Sequence, residues 1–158
     1  MAIAQEIERY TKLLALTPAE IDAAKVAWAE IEPHMPDLVE QFYEHLFAND
    51  VDLIFEGVDV PRLKLSQQAY WRTLFQGGFD AAYEAHVSKI NIKHHAAGVE
   101  LSHYVAAYGW FSERFFDIIA RSELTGPFGR DDLLVATNKI LYLDMMIATS
   151  SLEATFID

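Results

Sequence analysis

The sequence predicts a single all-α domain. Apolar residues recur at the three- and four-residue spacing of amphipathic helices, and no stretch alternates apolar and polar residues between turn signals as a strand does. The length of 158 residues fits one domain, so we expect residues 1–158 to form one unit. Hydrophobic residues make up 52% of the chain, which is enough for a sizeable core and too many for a disordered protein.

Capping and breaking signals divide the chain into helices. Thr17-Pro18-Ala19-Glu20 has the form of a helix start, with Thr as N-cap, Pro at the first position and Glu at the third. Prolines at positions 33 and 36 break the helix that it opens. The predicted helices cover about residues 4–14, 17–31, 36–48, 61–76, 80–98, 101–121 and 131 to near the C-terminus, with a short connection at 49–60 and a clear turn at 125–129.

The composition excludes several classes of protein. The chain has no cysteines, which excludes disulfides, thiolate zinc sites and cysteine nucleophiles. A formal net charge of -12 repels phosphate backbones and anionic membranes, so we expect no nucleic acid partner and no membrane contact. No signal-type segment opens the chain, and Asn138, Lys139 and Asp144 interrupt the apolar tract at 133–148. We therefore expect a soluble cytoplasmic protein, and the lack of hydrolase and nucleotide-binding motifs predicts no catalytic residues.

Six histidines are present, and His94 differs from the others in its position. It continues an apolar stripe of Tyr83, Val87 and Ile90 at steps of four, three and four residues, so its ring should point inward. A buried imidazole needs a partner for each ring nitrogen, and a haem iron is one such partner. A core histidine bonded to backbone carbonyls is the alternative, and the pattern alone leaves both open. His95 lies about 100° further round the helix and is expected at the rim.

Polar side chains on inner helix faces add to the haem hypothesis. Tyr43 places a hydroxyl on an otherwise apolar face, and Ser66 and Gln67 interrupt the apolar stripe of the helix at 61–76. A pocket for a diatomic ligand combines apolar walls with one or two donors, and a Tyr hydroxyl is able to donate to iron-bound O2. Taken singly, Tyr43 is interpreted as a core aromatic residue and Ser66 as a helix-packing residue.

The last two helices carry more apolar residues than one core stripe needs. These residues are Phe111, Phe115, Phe116, Ile118 and Ile119 in one helix, and Leu134, Ile140, Leu141, Leu143 and Met145 in the other. Apolar residues on more than one face indicate either an oligomer interface or a fully buried central helix pair. The pattern alone does not separate these two interpretations.

Residues 60–108 resemble the sensor domain of globin-coupled sensors, a family that includes aerotaxis receptors and globin-linked diguanylate cyclases. The resemblance is carried by the run VPRLKLSQQAYWRTLFQGGFDAAY at 60–83 and by INIKHHAAGV at 90–99. The family pattern has an Ile four residues before the proximal His and a Gly four residues after it. Both spacings match when His94 is the ligand, and His95 would break both.

The resemblance implies a globin fold with an extra N-terminal helix and a short connection in place of the D helix. It also implies haem b (Fe-protoporphyrin IX) with His94 as the iron ligand and Tyr43 as the distal Tyr. Tyr104 matches a proximal Tyr that often follows a Trp, whereas position 103 is His in this chain. The residues expected around the haem are Phe42, Tyr43, Leu46, Leu63, Ser66, Gln67, Tyr70, Val87, Ile90, Val99, Tyr104 and Tyr108.

The function that the resemblance implies is gas sensing without net chemistry. We expect O2, CO and NO as ligands, a homodimer through the last two helices, and signalling to a C-terminal output module. The chain stops inside its last helix at residues 155–158, which favours a fragment of a longer signalling protein. The alternatives are a stand-alone globin for O2 binding or gas detoxification and a haem-free helical interaction domain.

Overall fold

A computed structural model of the chain describes residues 2–49 and 57–153. Within these residues the fold consists of seven α-helices and one 3₁₀ turn at Glu32–His34, and no β-strand occurs. The helices are α1 (Ile3–Leu13), α2 (Pro18–Ile31), α3 (Met35–Ala48), α4 (Val60–Gln76), α5 (Ala81–Ala96), α6 (Leu101–Arg121) and α7 (Arg130–Glu153). The all-α prediction and the extra N-terminal helix are thus confirmed. Most of the predicted connection at 49–60 lies outside the described residues.

Local signals explain where the helices begin and end. The Thr17 hydroxyl accepts a hydrogen bond from the Glu20 amide at 3.2 Å, and the Glu20 carboxylate accepts one from the Thr17 amide at 3.0 Å. This capping box opens α2 as predicted. Pro33 and Pro36 do not leave an open loop, because a 3₁₀ turn leads directly into α3 and Pro36 lies in its first turn, where a missing amide costs no helical hydrogen bond.

The core is an aromatic layer covered by α7. Trp28 of α2 stacks on Phe75 of α4 with ring centroids 5.3 Å apart, and Phe115 of α6 meets Phe75 edge-on at 5.8 Å. Helix α7 packs against α1, α2, α4, α5 and α6. The final helix is therefore in contact with most of the helices that surround the functional site described below.

None of the described helices combines the length and apolar character that a bilayer-spanning segment requires.

Candidate functional site

A cavity of about 710 Å³ opens between α3, α4, α5 and α6. Its volume lies in the range of roughly 300–1,000 Å³ that is typical of ligand and cofactor sites. Its apolar lining consists of Phe42, Leu46, Val58, Leu63, Ala96, Ala97, Val99 and Ala107, and its polar lining of Tyr43, Asp59, Arg62, Ser66, Gln67, Lys93, His94, His103 and Tyr104.

His94 lies in the last turn of α5 and its half-buried ring lines the cavity. Its Nδ1 shares a hydrogen bond with the Tyr104 hydroxyl of α6, and the two rings meet edge-on with centroids 5.0 Å apart. Nothing in the described part of the chain bonds to Nε2. Burial lowers the pKa of His94 to about 4, so the imidazole is neutral at pH 7. A neutral imidazole with one nitrogen held and the other open is suited to ligate a metal.

The end of α5 fixes the backbone at His94. Gly98 adopts φ +75°, the left-handed conformation that favours glycine. The Val99 amide then donates to the His94 carbonyl at 3.1 Å, and the Gly98 amide donates to the His95 carbonyl at 3.1 Å. This pair of bonds is a Schellman motif. It ends the helix directly after the candidate ligand and turns the chain into α6, which carries Tyr104.

Tyr43 of α3 lines the same cavity as His94. The residue is only 4% exposed, and burial raises the pKa of its hydroxyl, which therefore stays protonated and able to donate. Ser66 and Gln67 of α4 line the same cavity. The Gln67 Oε1 atom is buried and has no hydrogen-bond partner in the described part of the protein. The cavity thus has a histidine from α5 and a set of neutral polar groups from α3 and α4.

The cavity lining includes cationic and donor groups on exposed or half-exposed residues, and these groups form what we call the mouth of the cavity. Arg62 lies in the first turn of α4, Lys93 in the last turn of α5 and His103 in the first turn of α6. Among the described residues neither Arg62 nor Lys93 forms an ion pair. The nearby Asp59 carboxylate caps α4 by accepting from the Arg62 amide at 3.2 Å. In a chain of net charge -12, two unpaired cations at a cavity edge are suited to meet an anionic group of a ligand.

The structure brings most of the sequence-predicted site residues together. The ones that line the cavity are Phe42, Tyr43, Leu46, Leu63, Ser66, Gln67, His94, Val99 and Tyr104. Four others, Tyr70, Val87, Ile90 and Tyr108, are not among the lining residues. The reason for Tyr70 and Tyr108 is that their hydroxyls are turned towards Asp144 of α7. His95 is exposed and does not line the cavity.

Asp144 and its partners form a buried cluster that the sequence analysis missed. The carboxylate is 0% exposed and accepts hydrogen bonds from Tyr70 of α4, Tyr83 of α5 at 2.5 Å, and Tyr108 of α6. Burial raises the pKa of Asp144, and the three phenol bonds act in the opposite direction. Burial also raises the pKa of Tyr104, and the Asp144 carboxylate raises it further. A lone acid in the apolar tract at 133–148 was the available signal, because a buried acid requires partners.

The polar mouth was also missed. The sequence analysis did not single out Asp59, Arg62 or Lys93. Their positions next to Leu63 and His94, two residues that were predicted to face the ligand, were the signal that could have found them.

The fold and the cavity together define a class of protein. An all-helical fold with a cavity between its helices, lined by a histidine from one of them, is the arrangement of a globin. The chain belongs to the protoglobin family, whose family model matches residues 3–155. Membership in a globin family implies haem binding.

A solved structure supports the same fold. The chain is similar to the globin domain of the Geobacter sulfurreducens globin-coupled sensor, with a TM-score of 0.78 and 21% sequence identity over 91% of this chain and 95% of that chain. At this level of identity the likeness shows the globin fold. A search of curated protein sequences found no match.

Proposed function

We propose that this domain is a haem-based gas sensor that binds O2, and also CO and NO, at a ferrous iron ligated by His94. The observation that carries the proposal is the state of the His94 ring, which is neutral, half-buried and held at Nδ1 while Nε2 has no partner among the described residues. Haem b supplies the iron at which the gas binds. The chain's own residues hold the group, shape its surroundings and stabilise the bound gas.

The residues of the cavity fit a porphyrin with two carboxylates. The lining between Phe42, Leu46 and Leu63 is apolar, as a porphyrin ring requires. Arg62 and Lys93 stand at the mouth without acid partners among the described residues, and the His103 Nδ1 accepts from the Glu100 amide at 3.2 Å, which leaves its other ring nitrogen to donate. We assign these groups to the two carboxylates, because charge-assisted hydrogen bonds to carboxylates are the strong ones.

Tyr43 is the donor that we assign to the bound gas. Burial raises the pKa of its hydroxyl, which stays protonated, and the residue lines from α3 the cavity that His94 lines from α5. Ser66 and Gln67 are the neighbouring polar groups of α4. A neutral donor stabilises the partial negative charge of bound O2 and has less effect on CO, whose outer atom carries less charge.

Signalling passes through a homodimer in this proposal. Exposed apolar side chains remain on the last two helices after folding, namely Leu101 and Val105 on α6 and Val135 and Tyr142 on α7. A second copy of the chain would cover such faces. Changes at the cavity would reach α7 through its contacts with α4, α5 and α6 and then a C-terminal output module in the cytoplasm.

Haem retention by matched histidine variants tests the proposal. Purified wild-type protein should show a Soret band. His94→Ala should lose stable haem, because it removes the ring nitrogen that we assign to the iron. His95→Ala is the control, since His95 is the adjacent residue on the exposed face of the same helix. Haem content per chain, measured after reconstitution, decides the matter. A wild type without a Soret band would favour a haem-free interaction domain, and equal retention by both variants would overturn the ligand assignment.

A further inference from the structure

Asp144 is a fully buried carboxylate that no cation neutralises within the described residues. Its partners are instead three phenols, one from each of the three other helices at this point, Tyr70 of α4, Tyr83 of α5 and Tyr108 of α6. Burying an acid costs free energy, so an acid that is kept in a core without a counter-ion requires a compensating arrangement. The three hydroxyls supply it.

The geometry of the cluster favours a charged carboxylate. Three phenol protons are directed at the two oxygens of Asp144, with Tyr70 and Tyr83 on Oδ1 and Tyr108 on Oδ2. If Asp144 were protonated, its carboxyl group would add a fourth proton to the cluster. One phenol oxygen would then have to accept a hydrogen bond instead of its hydroxyl donating one. Hydrogen bonds that are all directed at the charged form stabilise that form. The three phenol bonds thus oppose the burial that raises the pKa of Asp144, and they favour one negative charge inside the protein.

The charge lies one helical turn from the hydrogen bond that holds His94. Tyr104 precedes Tyr108 by one turn of α6, and Ala148 follows Asp144 by one turn of α7. Tyr104 and Ala148 pack together, with Tyr108 against them. Tyr104, which shares the hydrogen bond with the His94 Nδ1, therefore lies one turn of α6 from Tyr108. Tyr108 donates to the Asp144 carboxylate, so the buried acid is close to the residue that holds His94.

We propose that Asp144 is a positioning residue whose buried charge acts through Tyr104 on His94 and thereby favours the ferric over the ferrous state of the bound haem. This inference rests on the proposed haem function. A negative charge makes the Tyr104 oxygen a stronger acceptor for the His94 Nδ1–H, which increases electron donation by the imidazole. The same charge attracts the additional positive charge of ferric iron, and in a low-dielectric interior such attraction is weakly screened. Both effects stabilise the ferric state relative to the ferrous state.

The Asp144→Asn holoprotein tests the proposal, because it removes the charge and nearly keeps the shape. At a fixed electrode potential, the ratio of ferrous to ferric protein should rise about tenfold over wild type, which equals about 59 mV for one electron. The iron–histidine stretching band of the ferrous protein should move to lower frequency in the resonance Raman spectrum. Tyr83→Phe is the matched control, since it removes one bond of the same cluster and keeps the charge. Equal shifts in the two variants, or no shift in Asp144→Asn, would overturn the proposal.

Two further variants keep the proposal testable. If Asp144→Asn does not fold, the double variant Tyr70→Phe with Tyr108→Phe replaces it. This variant leaves the Asp144 carboxylate with one phenol donor, so we expect the carboxylate to take up a proton. The ratio of ferrous to ferric protein should then rise, as in Asp144→Asn. An unchanged ratio in that double variant would overturn the proposal. In a Tyr104→Phe background, Asp144→Asn should no longer move the Raman band, and a band shift that persists would contradict the route through Tyr104. All variants keep a Soret band if the domain binds haem as proposed. A missing Soret band would therefore contradict the proposed function, independently of the role of Asp144.

Discussion

The Tyr43 hydroxyl is the group that we propose as the donor to the bound gas. Phe42 lies edge-on to it with ring centroids 5.6 Å apart, and the cavity in front of it is lined by Leu46 and Leu63. Apolar neighbours strengthen a hydrogen bond to a polar ligand, because they reduce the competition of water for the donor. We therefore expect the Tyr43 hydroxyl to affect the dissociation of O2 more than that of CO.

Tyr43→Phe removes one hydrogen bond and nearly keeps the shape of the pocket. We expect O2 to dissociate about three to thirty times faster, corresponding to about 0.7–2 kcal/mol for one hydrogen bond. CO dissociation should change much less. Stopped-flow measurement of both gases from the ferrous protein separates a donor role from a packing role, which would affect both gases alike.

Neighbouring polar groups provide the control for Tyr43. Ser66 and Gln67 line the same cavity and are able to donate in its place. A small effect of Tyr43→Phe therefore calls for the double variant with Ser66→Ala, whose effect would exceed the sum of the single ones if the two groups substitute for each other. Unchanged O2 release in the double variant would show that the distal assignment is wrong.

The position of a residue in the cavity was predictable where a single helix carries the signal. His94 stands out because Tyr83, Val87 and Ile90 lie on its stripe, and spacing within one helix is visible in the sequence. The Asp144 cluster was not predictable in this way, because its three donors lie 74, 61 and 36 residues away along the chain. Only the packing of four helices brings them together.

At the scale of the helices, termini followed the sequence closely because caps and breakers act locally. The N-caps Asp59 and Asp80 accept from amides three residues on, at 3.2 and 3.0 Å, and they set the starts of α4 and α5. The 3₁₀ turn before α3 was the exception. Two prolines three residues apart read as a break, yet each occupies a position near a helix start that needs no amide.

The end of α5 lies close to His94, the proposed iron ligand, and the left-handed conformation of Gly98 terminates this helix. Gly98→Ala should lower the free energy of unfolding by about 1–2 kcal/mol, the cost of a Cβ in this conformation. It should also increase the rate of haem loss, because the strain falls on the turn that holds His94. Denaturant unfolding and haem transfer to an acceptor globin measure the two effects.

Gly126→Ala is the matched control for Gly98. Gly126 lies in the loop before α7, has no left-handed conformation, and has no atom within 4 Å of an added Cβ. Its replacement should leave stability unchanged or raise it by about 0.4–1 kcal/mol through the unfolded chain. Haem loss that is equally fast in both variants would contradict a specific role of the α5 terminus.

For the whole molecule, the fold shows which of the many apolar residues of the last two helices belong to the core of the single chain. Phe111, Phe115, Ile119, Ile140 and Leu143 are buried within the single chain, so they belong to the core rather than to an interface. Leu141 is only 3% exposed and would be a misleading interface probe. The exposed residues Val135 and Tyr142, both 48% exposed and seven residues apart on α7, mark the face that a partner would cover.

Tyr142→Glu should weaken the proposed homodimer without unfolding the chain, because the side chain is half exposed in the single subunit. We expect the dimer dissociation constant to rise at least about tenfold, or about 1.4 kcal/mol. Sedimentation over a concentration series measures it. Leu65→Glu on α4 is the control, since Leu65 is 68% exposed on a different helix. A wild type that is monomeric at micromolar concentration, or equal weakening by both variants, would show that this face is not the interface.

The buried carboxylate of α7 also limits how that helix is able to move. The residues one turn away on either side, Ile140 and Ala148, are apolar. Sliding α7 by one turn, about 5.4 Å, would set one of them against three phenols and leave Asp144 against hydrocarbon. Each stranded polar group would cost about 1–3 kcal/mol. A full-turn slide of α7 is therefore costly, and we expect a rearrangement that begins at the cavity to reach α7 as a smaller shift, a tilt or a rotation that keeps Asp144 among its three phenols.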